Sequence, residues 1–442
     1  MVNPNPKPEI NLAAAFNISP LKALSGEPVH IRVTGLDPDT KVKLVTKRTD
    51  NAGVKWESHA IFITDIGGSV DLNAQAPVSG TYSGIDPSGL FWSMRPVSDM
   101  KPQGAFPNVL EPQRITIYAE VGGKHILSGT MERLLISSDV KRQPVNEAGV
   151  KGMLFIPPHD EKCSAIIVLG GSEGGIYEPS AAIYASQGYV TLALAYFGLE
   201  GLPTSLVNIP LETIERGIRW LDACPQVNKD AIGIWGASKG AELALLAASK
   251  FPKIKAVVAK SPSSVVFEGI SEDMGRNHKS SWSYKGESLP FVPTMFNMRL
   301  SVTFFWAKLT RRPWQTRPMY EYALRNKEAV ERATIEVENV NGPVLLTSGG
   351  QDGVWPAGKM TAMIMERLKA KGHPFPDVHL HYEDAGHQIV APYSPTTVNW
   401  LILPGGFIEG LGGSPKGNAA AAMDSWHKIN EFFSTHLKKP NR

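Results

Sequence analysis

Cysteine is nearly absent. The 442-residue chain has only Cys163 and Cys224, too few for a disulfide framework and in keeping with a reducing compartment. Neither stands in a tight turn that would present a nucleophile, so each reads as a small buried residue. Long apolar runs are also missing, and none reaches the length that spans a bilayer. The opening MVNPNPKPEI has no apolar signal core and reads as a flexible arm, and the terminal KKPNR is no peroxisomal address. The expectation is a cytoplasmic protein without stable membrane insertion, a processed export signal being the alternative. Charge of one sign is scarce as well. Forty-five Lys and Arg against 42 Asp and Glu leave a net +3, too little to argue for nucleic acid or an anionic membrane. The pairs Arg311-Arg312 and Lys438-Lys439 read as solvated surface. No P-loop ending and no G-x-G-x-x-G occurs, which excludes the common nucleotide sites. No pair of carboxylates stands out for glycosidase-type chemistry.

What is present is an ordinary globular composition, 42% hydrophobic and 20% charged, in a chain long enough for more than one core. Residues 1–140 carry short alternating or β-branched runs, Val29–Val33, Lys41–Lys47, Ala60–Thr64, Arg114–Val121 and Leu127–Ile136. Turn signals such as Asn51-Ala52-Gly53 and Gly122-Gly123 separate them. An immunoglobulin-like β-sandwich over residues 1–142 is expected, without the Cys–Trp–Cys framework of a true immunoglobulin domain. From 143 to 442 the texture changes. Strands that are apolar throughout (Ala165–Leu169, Tyr189–Ala195, Ala231–Trp235, Ile254–Ala259, Pro343–Ser348) alternate with helical segments (Pro179–Gln187, Leu211–Ala223, Glu242–Lys250, Tyr320–Arg332, Ala357–Lys371, Ala419–Leu437). That is the pattern of a parallel sheet covered on both faces. Residues 261–318, rich in Ser, Pro, Trp and Phe, interrupt it as a cap or substrate-pocket wall.

The chemistry centres on Gly236-Ala237-Ser238-Lys239-Gly240, set between an apolar strand and a helix. This is the context of a nucleophile elbow, with Ser238 at the tip of a tight turn. A serine hydroxyl needs a base, and the base an orienting carboxylate. Asp352 follows one later strand and His387 follows the next strand, Val378–Tyr382, which gives the order Ser, Asp, His at strand C-terminal ends. Glu383 and Asp384 are rival acids but stand too near His387 in sequence. The backbone N–H of Lys239, with that of Gly171 or Ser172 in the loop Gly170–Gly175, is placed to form an oxyanion hole. For the Lys239 side chain, attraction of an anionic substrate group and a plain surface lysine weigh equally. His379 and His381 alternate near Glu383, yet a metal site needs more converging ligands, and neither metal nor cofactor is expected.

The chain as a whole resembles the acyl-CoA thioesterase/bile acid-CoA:amino acid N-acyltransferase family. The resemblance is carried by Gly80-Thr81-Tyr82-Ser83-Gly84-Ile85-Asp86-Pro87-Ser88-Gly89-Leu90-Phe91-Trp92, Leu194-Ala195-Tyr196 and the elbow with Ala241-Glu242. It continues through Tyr284-Lys285-Gly286-Glu287-Ser288-Leu289-Pro290, Gly350-Gln351-Asp352 and Gly386-His387 with Pro392-Tyr393. It implies an α/β-hydrolase domain behind a β-sandwich, with acyl-CoA thioesters as substrates. Position by position, Ser238 matches the nucleophile, Asp352 the acid and His387 the base. Members that transfer the acyl group to an amino acid typically carry cysteine at the nucleophile position. Serine here favours water as acceptor, hence a thioesterase; an acyltransferase or carboxylesterase using the same triad is the alternative. Oligomeric state is left open.

Overall fold

A computed structural model describes residues 14–97, 110–159, 161–271, 278–403 and 406–437. The N-terminal arm and Lys438-Lys439 lie outside these residues.

The polypeptide divides into two compact units. The first holds Met1–Ala105, Glu111–Leu134 and Pro392–Val398; the second holds Phe106–Leu110, Leu135–Ala391 and Asn399–Arg442. The first unit is built from β-strands in two sheets. Ala15–Ser19, His30–Thr34 and Val70–Asp71 form the smaller. The larger is centred on Gln113–Val121, which pairs with Lys124–Leu134 on one side and Lys41–Thr49 on the other, with Lys55–Ile63 beyond. Alternation does the work that the sequence implies: in Lys55–Ile63, Trp56, Ser58, Ala60 and Phe62 are buried and the residues between them are not. A Cβ at Gly129 would lie 2.6 Å from Ile18 Cδ1, so the two sheets meet there closely. The return segment Pro392–Val398 is held within this unit. The Thr396 N–H donates to the Trp92 carbonyl at 3.0 Å, Tyr393 lies edge-on to Phe91 at 5.3 Å, and the Arg133 guanidinium sits 4.1 Å from the centre of the Tyr393 ring.

The second unit is an eight-stranded sheet. Its strands are β1 (Lys141–Glu147), β2 (Val150–Ile156), β3 (Cys163–Leu169), β4 (Val190–Leu194), β5 (Val227–Ala237), β6 (Ile254–Lys260), β7 (Val344–Gly349) and β8 (Val378–Tyr382). They run in the order β1-β2-β4-β3-β5-β6-β7-β8. Only β2 opposes its neighbours; every pairing from β4 to β8 is parallel. Its principal helices are α1 (Glu178–Ala185), α2 (Glu212–Ala223), α3 (Lys239–Lys250), α4 (Met298–Thr310), α5 (Arg317–Ala323), α6 (Lys327–Ala333), α7 (Ala357–Ala370) and α8 (Pro415–His436). Two apolar cores cover the sheet. Ala165, Ile167, Leu169, Ile232 and Ile234 pack with Ile214, Ile218 and Leu221 of α2 and with α3; Ile166, Val168 and Trp235 pack with Ala181, Ala182 and Tyr184 of α1 and Phe432 and Phe433 of α8. Continuous apolar strands are therefore the mark of burial on both faces.

Four expectations change. The strand expected over Ala231–Trp235 extends to Val227–Ala237, and its helix starts at Lys239 rather than Glu242. The single helix expected over Tyr320–Arg332 is two, because the Asn326 side chain accepts the Ala329 N–H and starts a new one. Cys163 and Cys224 are half-buried rather than buried.

Candidate active site

Ser238 stands alone between β5 and α3 with φ 55° and ψ −121°. A side chain seldom occupies that region, and the strain costs on the order of 1–3 kcal/mol. The surroundings impose it. The Ser238 N–H donates to the Lys260 carbonyl of β6 at 2.9 Å, and the Ser238 carbonyl accepts from the N–H groups of Ala241 and Glu242. Close packing dictates the two flanking glycines: a Cβ on Gly236 would lie 2.1 Å from the Gly240 carbonyl oxygen, and one on Gly240 would lie 2.0 Å from that of Gly170.

His387 Nε2 lies 2.8 Å from Ser238 Oγ, and His387 Nδ1 lies 2.8 Å from Asp352 Oδ2. A carboxylate only accepts, so Nδ1 carries the proton and Nε2 is left to accept from the serine. The other oxygen of Asp352 accepts from the N–H groups of Val354 and Trp355 at 2.8 and 3.1 Å, which fixes the carboxylate. The imidazole is fixed in turn: the His387 N–H donates to the Leu411 carbonyl, Ser261 Oγ donates to the His387 carbonyl, and the Trp355 ring stands edge-on at 5.7 Å. Of the rival acids, Glu383 hydrogen-bonds His381 and Asp384 accepts from Gln351.

Burial pulls the His387 pKa down, but the Asp352 charge and hydrogen bond outweigh it, with Glu409 and Glu173 adding, so the net displacement is upward. A histidine acts as a base only when neutral, so any activity that uses His387 as its base is expected to fall as pH drops through this raised value. Glu409, hydrogen-bonded to Thr316 Oγ1 at 2.8 Å, reaches His387 only by charge. Glu409→Gln removes part of the upward pull. The acid limb of the kcat/KM–pH profile is expected to move to lower pH, and an unmoved limb would remove Glu409 from the electrostatics of the base.

The loop after β3 meets the elbow: a Cβ on Gly171 would lie 3.4 Å from Ser238 Cβ. Tyr196 at the end of β4 pins it, its hydroxyl shared between the carbonyls of Gly170 and Gly171 at 2.7 Å each. The Gly171 N–H is engaged by Glu173 Oε1 at 2.9 Å. Ser172 is exposed beside it. Lys239 is the first residue of α3, so its N–H has no carbonyl one turn earlier to bond. Its side chain corrects the sequence reading. It is 2% exposed, and its ammonium lies within 3.1 Å of Glu242 and 2.8 Å of Ser281 Oγ. It is neither a surface lysine nor a cation open to an anionic substrate group. Burial lowers its pKa and raises that of Glu242 against their mutual attraction. Glu242 Oε1 also accepts from Trp282 Nε1 at 2.7 Å and from the Phe267 N–H at 3.2 Å, which fastens part of the 261–318 segment beneath the elbow.

His379 and His381 share the Ser348 hydroxyl at 2.8 and 2.9 Å on the edge of the sheet. Among the described residues no group of three His, Cys, Asp or Glu side chains is arranged to hold a metal. No helix there is long and apolar enough to cross a membrane. Sequence reasoning missed Tyr196, Glu173, Trp355 and Glu409 as neighbours of the site. Two of them left a signal: Tyr196 stands within the family segment Leu194-Ala195-Tyr196, and Glu173 within the loop Gly170–Gly175.

The strand order, the reversed β2 and a serine at a strained strand-to-helix turn define an α/β-hydrolase. The chain belongs to the acyl-CoA thioester hydrolase/BAAT family. The model of its C-terminal part matches residues 209–439, and that of its N-terminal region matches residues 26–147. Acyl-coenzyme A thioesterase 1 of Mus musculus is 30% identical over 431 residues, 96% of this chain and 97% of that protein. The protein named acyl-coenzyme A thioesterase 2, mitochondrial, of Mus musculus is 31% identical over 415 residues, covering 93% and 86%. Among solved structures, the acylaminoacyl peptidase of Pyrococcus horikoshii aligns with a TM-score of 0.42 at 14% identity, over 94% of this chain and 60% of that one.

Proposed function

We propose that this chain is a serine thioesterase that cleaves acyl-CoA thioesters to free acid and CoA. Ser238 is the nucleophile, His387 the base and Asp352 the acid that orients it. The observation that carries the reading is the unbroken hydrogen-bond series from Ser238 Oγ through His387 to Asp352 on a strained elbow, in a family whose named members act on acyl-CoA. His387 Nε2 takes the serine proton as Oγ attacks the thioester carbonyl, and Asp352 stabilises the imidazolium. The oxyanion is held by the N–H of Lys239 and that of Gly171, with Ser172 beside it. Because Glu173 engages the Gly171 N–H in the free chain, the oxyanion displaces that carboxylate oxygen. CoA leaves as the thiol with the proton from His387, and water then releases the acid by the same route. We read the first unit as an immunoglobulin-like sandwich and the second, whose sheet begins at Lys141 rather than after residue 142, as the catalytic domain, with 261–318 as its cap.

Free-thiol release from a series of acyl-CoAs, short to long, with and without glycine or taurine, tests the reading. Thiol release with free acid as product is expected. An amide product moves the assignment to acyl transfer. Release from oxygen esters but from no thioester moves it to a carboxylesterase.

A further inference from the structure

Helix α4 is apolar on two sides, and only one of them faces the protein. Leu300 and Ala307 are buried. On the opposite side Met298, Val302, Phe305, Trp306 and Leu309 are 82%, 60%, 68%, 62% and 77% exposed. At 3.6 residues per turn these five fall within an arc of about 100°. Met295 and Phe296, just before the helix, are exposed too. Scattered surface apolar residues need no explanation, but a contiguous stripe of this size marks an interaction surface.

The charges around the stripe identify what it fits. From Leu289 to Tyr320 the chain has no Asp or Glu, while Arg299, Lys308, Arg311, Arg312 and Arg317 are all basic. Arg299 and Lys308 flank the apolar arc on its two sides, and Arg311 and Arg312 follow at the helix end, all four exposed. The net charge of the chain, +3, hides this local excess. An apolar strip with Trp and Phe bordered by Lys and Arg is the pattern of a helix that lies in a lipid interface, its cations reaching anionic headgroups.

The helix is a fixed platform. Trp314 stacks on Phe296 at 6.1 Å, meets Phe304 edge-on at 5.4 Å, and donates from Nε1 to Thr303 Oγ1 at 3.2 Å. The chain running on from it reaches the acid loop: Thr316 Oγ1 hydrogen-bonds the Val354 carbonyl, and Arg317 donates to the Gly350 carbonyl at 2.9 Å. The stripe is thereby tied to the same end of the sheet as Asp352.

We propose that the exposed face of α4 docks the protein reversibly on an anionic lipid surface, with Phe305, Trp306 and Leu309 in the interface and Arg299, Lys308, Arg311 and Arg312 on the headgroups. The inference does not depend on the serine chemistry, because binding is read without turnover.

The test is sedimentation of the full chain with phosphatidylcholine vesicles, with and without phosphatidylserine, at low and high salt. Binding to the anionic vesicles at low salt is expected, with loss at high salt. Two variants, Phe305→Glu with Leu309→Glu and Lys308→Glu with Arg311→Glu and Arg312→Glu, are each expected to weaken it by about tenfold or more. Circular dichroism and thermal melting confirm that they fold. A blue shift of fluorescence on binding that Trp306→Phe abolishes would place that side chain in the interface. No sedimentation with anionic vesicles, or unchanged binding by both folded variants, overturns the proposal. So does a dimer in light scattering that Phe305→Glu dissociates, because a second copy would then cover the stripe.

Discussion

Ser238→Ala is expected to reduce thiol release from the preferred acyl-CoA by about ten-thousandfold or more while leaving the fold intact. Among the described residues the serine hydroxyl hydrogen-bonds His387 Nε2 and no other group, so little packing is lost with it, and alanine inherits the backbone strain that the flanking contacts impose. His387→Ala is expected to cost as much, since without the base the hydroxyl keeps its proton. Asp352→Asn leaves the shape but reverses the hydrogen-bonding logic. An amide nitrogen facing Nδ1 favours the tautomer in which Nε2 carries the proton and can no longer accept one. Steady-state thiol detection measures all three, with a fluorophosphonate probe reporting the serine. If Ser238→Ala kept a tenth of the activity, the nucleophile would have to be sought elsewhere.

Glu242→Ala is expected to destabilise the second unit by about 3–5 kcal/mol, seen as a lower urea midpoint. Lys239 would be left as a buried ammonium held by Ser281, a distant carbonyl of Glu268, the Glu268 charge and the Phe267 and Trp282 rings at 5.9 Å, and Trp282 Nε1 and the Phe267 N–H would lose their acceptor. Replacing both partners by apolar residues, Lys239→Met with Glu242→Leu, is expected to recover the part of that loss that comes from the unpaired charge, while the Trp282 Nε1 and Phe267 N–H donors stay without their acceptor. A Glu242→Ala midpoint shift worth less than about 1 kcal/mol would mean that water or rearrangement reaches the ammonium.

The elbow, the serine and the alternation of strands with helices were legible because each depends on local pattern: glycine at a close approach, apolar runs at covered strands. The hydrogen-bonded partners at Asp352 and His387 were legible because a parallel sheet sends successive strand ends to one edge. Other features have no local signature. Strand β1, KRQPVNE, is a polar edge strand with only Val145 buried, so no apolar period reveals it. Helix α4 carries apolar residues on its inner and outer faces alike, which erases the period that marks an amphipathic helix. The burial of Lys239 depends partly on Glu242 one turn ahead, a readable spacing, but also on Ser281 and Trp282, which only tertiary folding brings beneath it. Glu409 reaches His387 by charge alone, from the three-residue strand Ile408–Gly410, which carries no motif.

The assignment of Pro392–Val398 to the first unit makes the chain hard to cut or recombine. A truncation that began at residue 143 would retain a strip of sequence whose hydrogen-bonding and ring partners, Trp92, Phe91 and Arg133, had been discarded, within a few positions of His387. Exchanging the N-terminal part between relatives would likewise require this strip to travel with it, as a second insertion deep inside the other gene half. Selection on the front of the chain and on the base-bearing loop is thus coupled through covalent continuity alone, and the two parts are expected to have diversified together rather than as interchangeable modules.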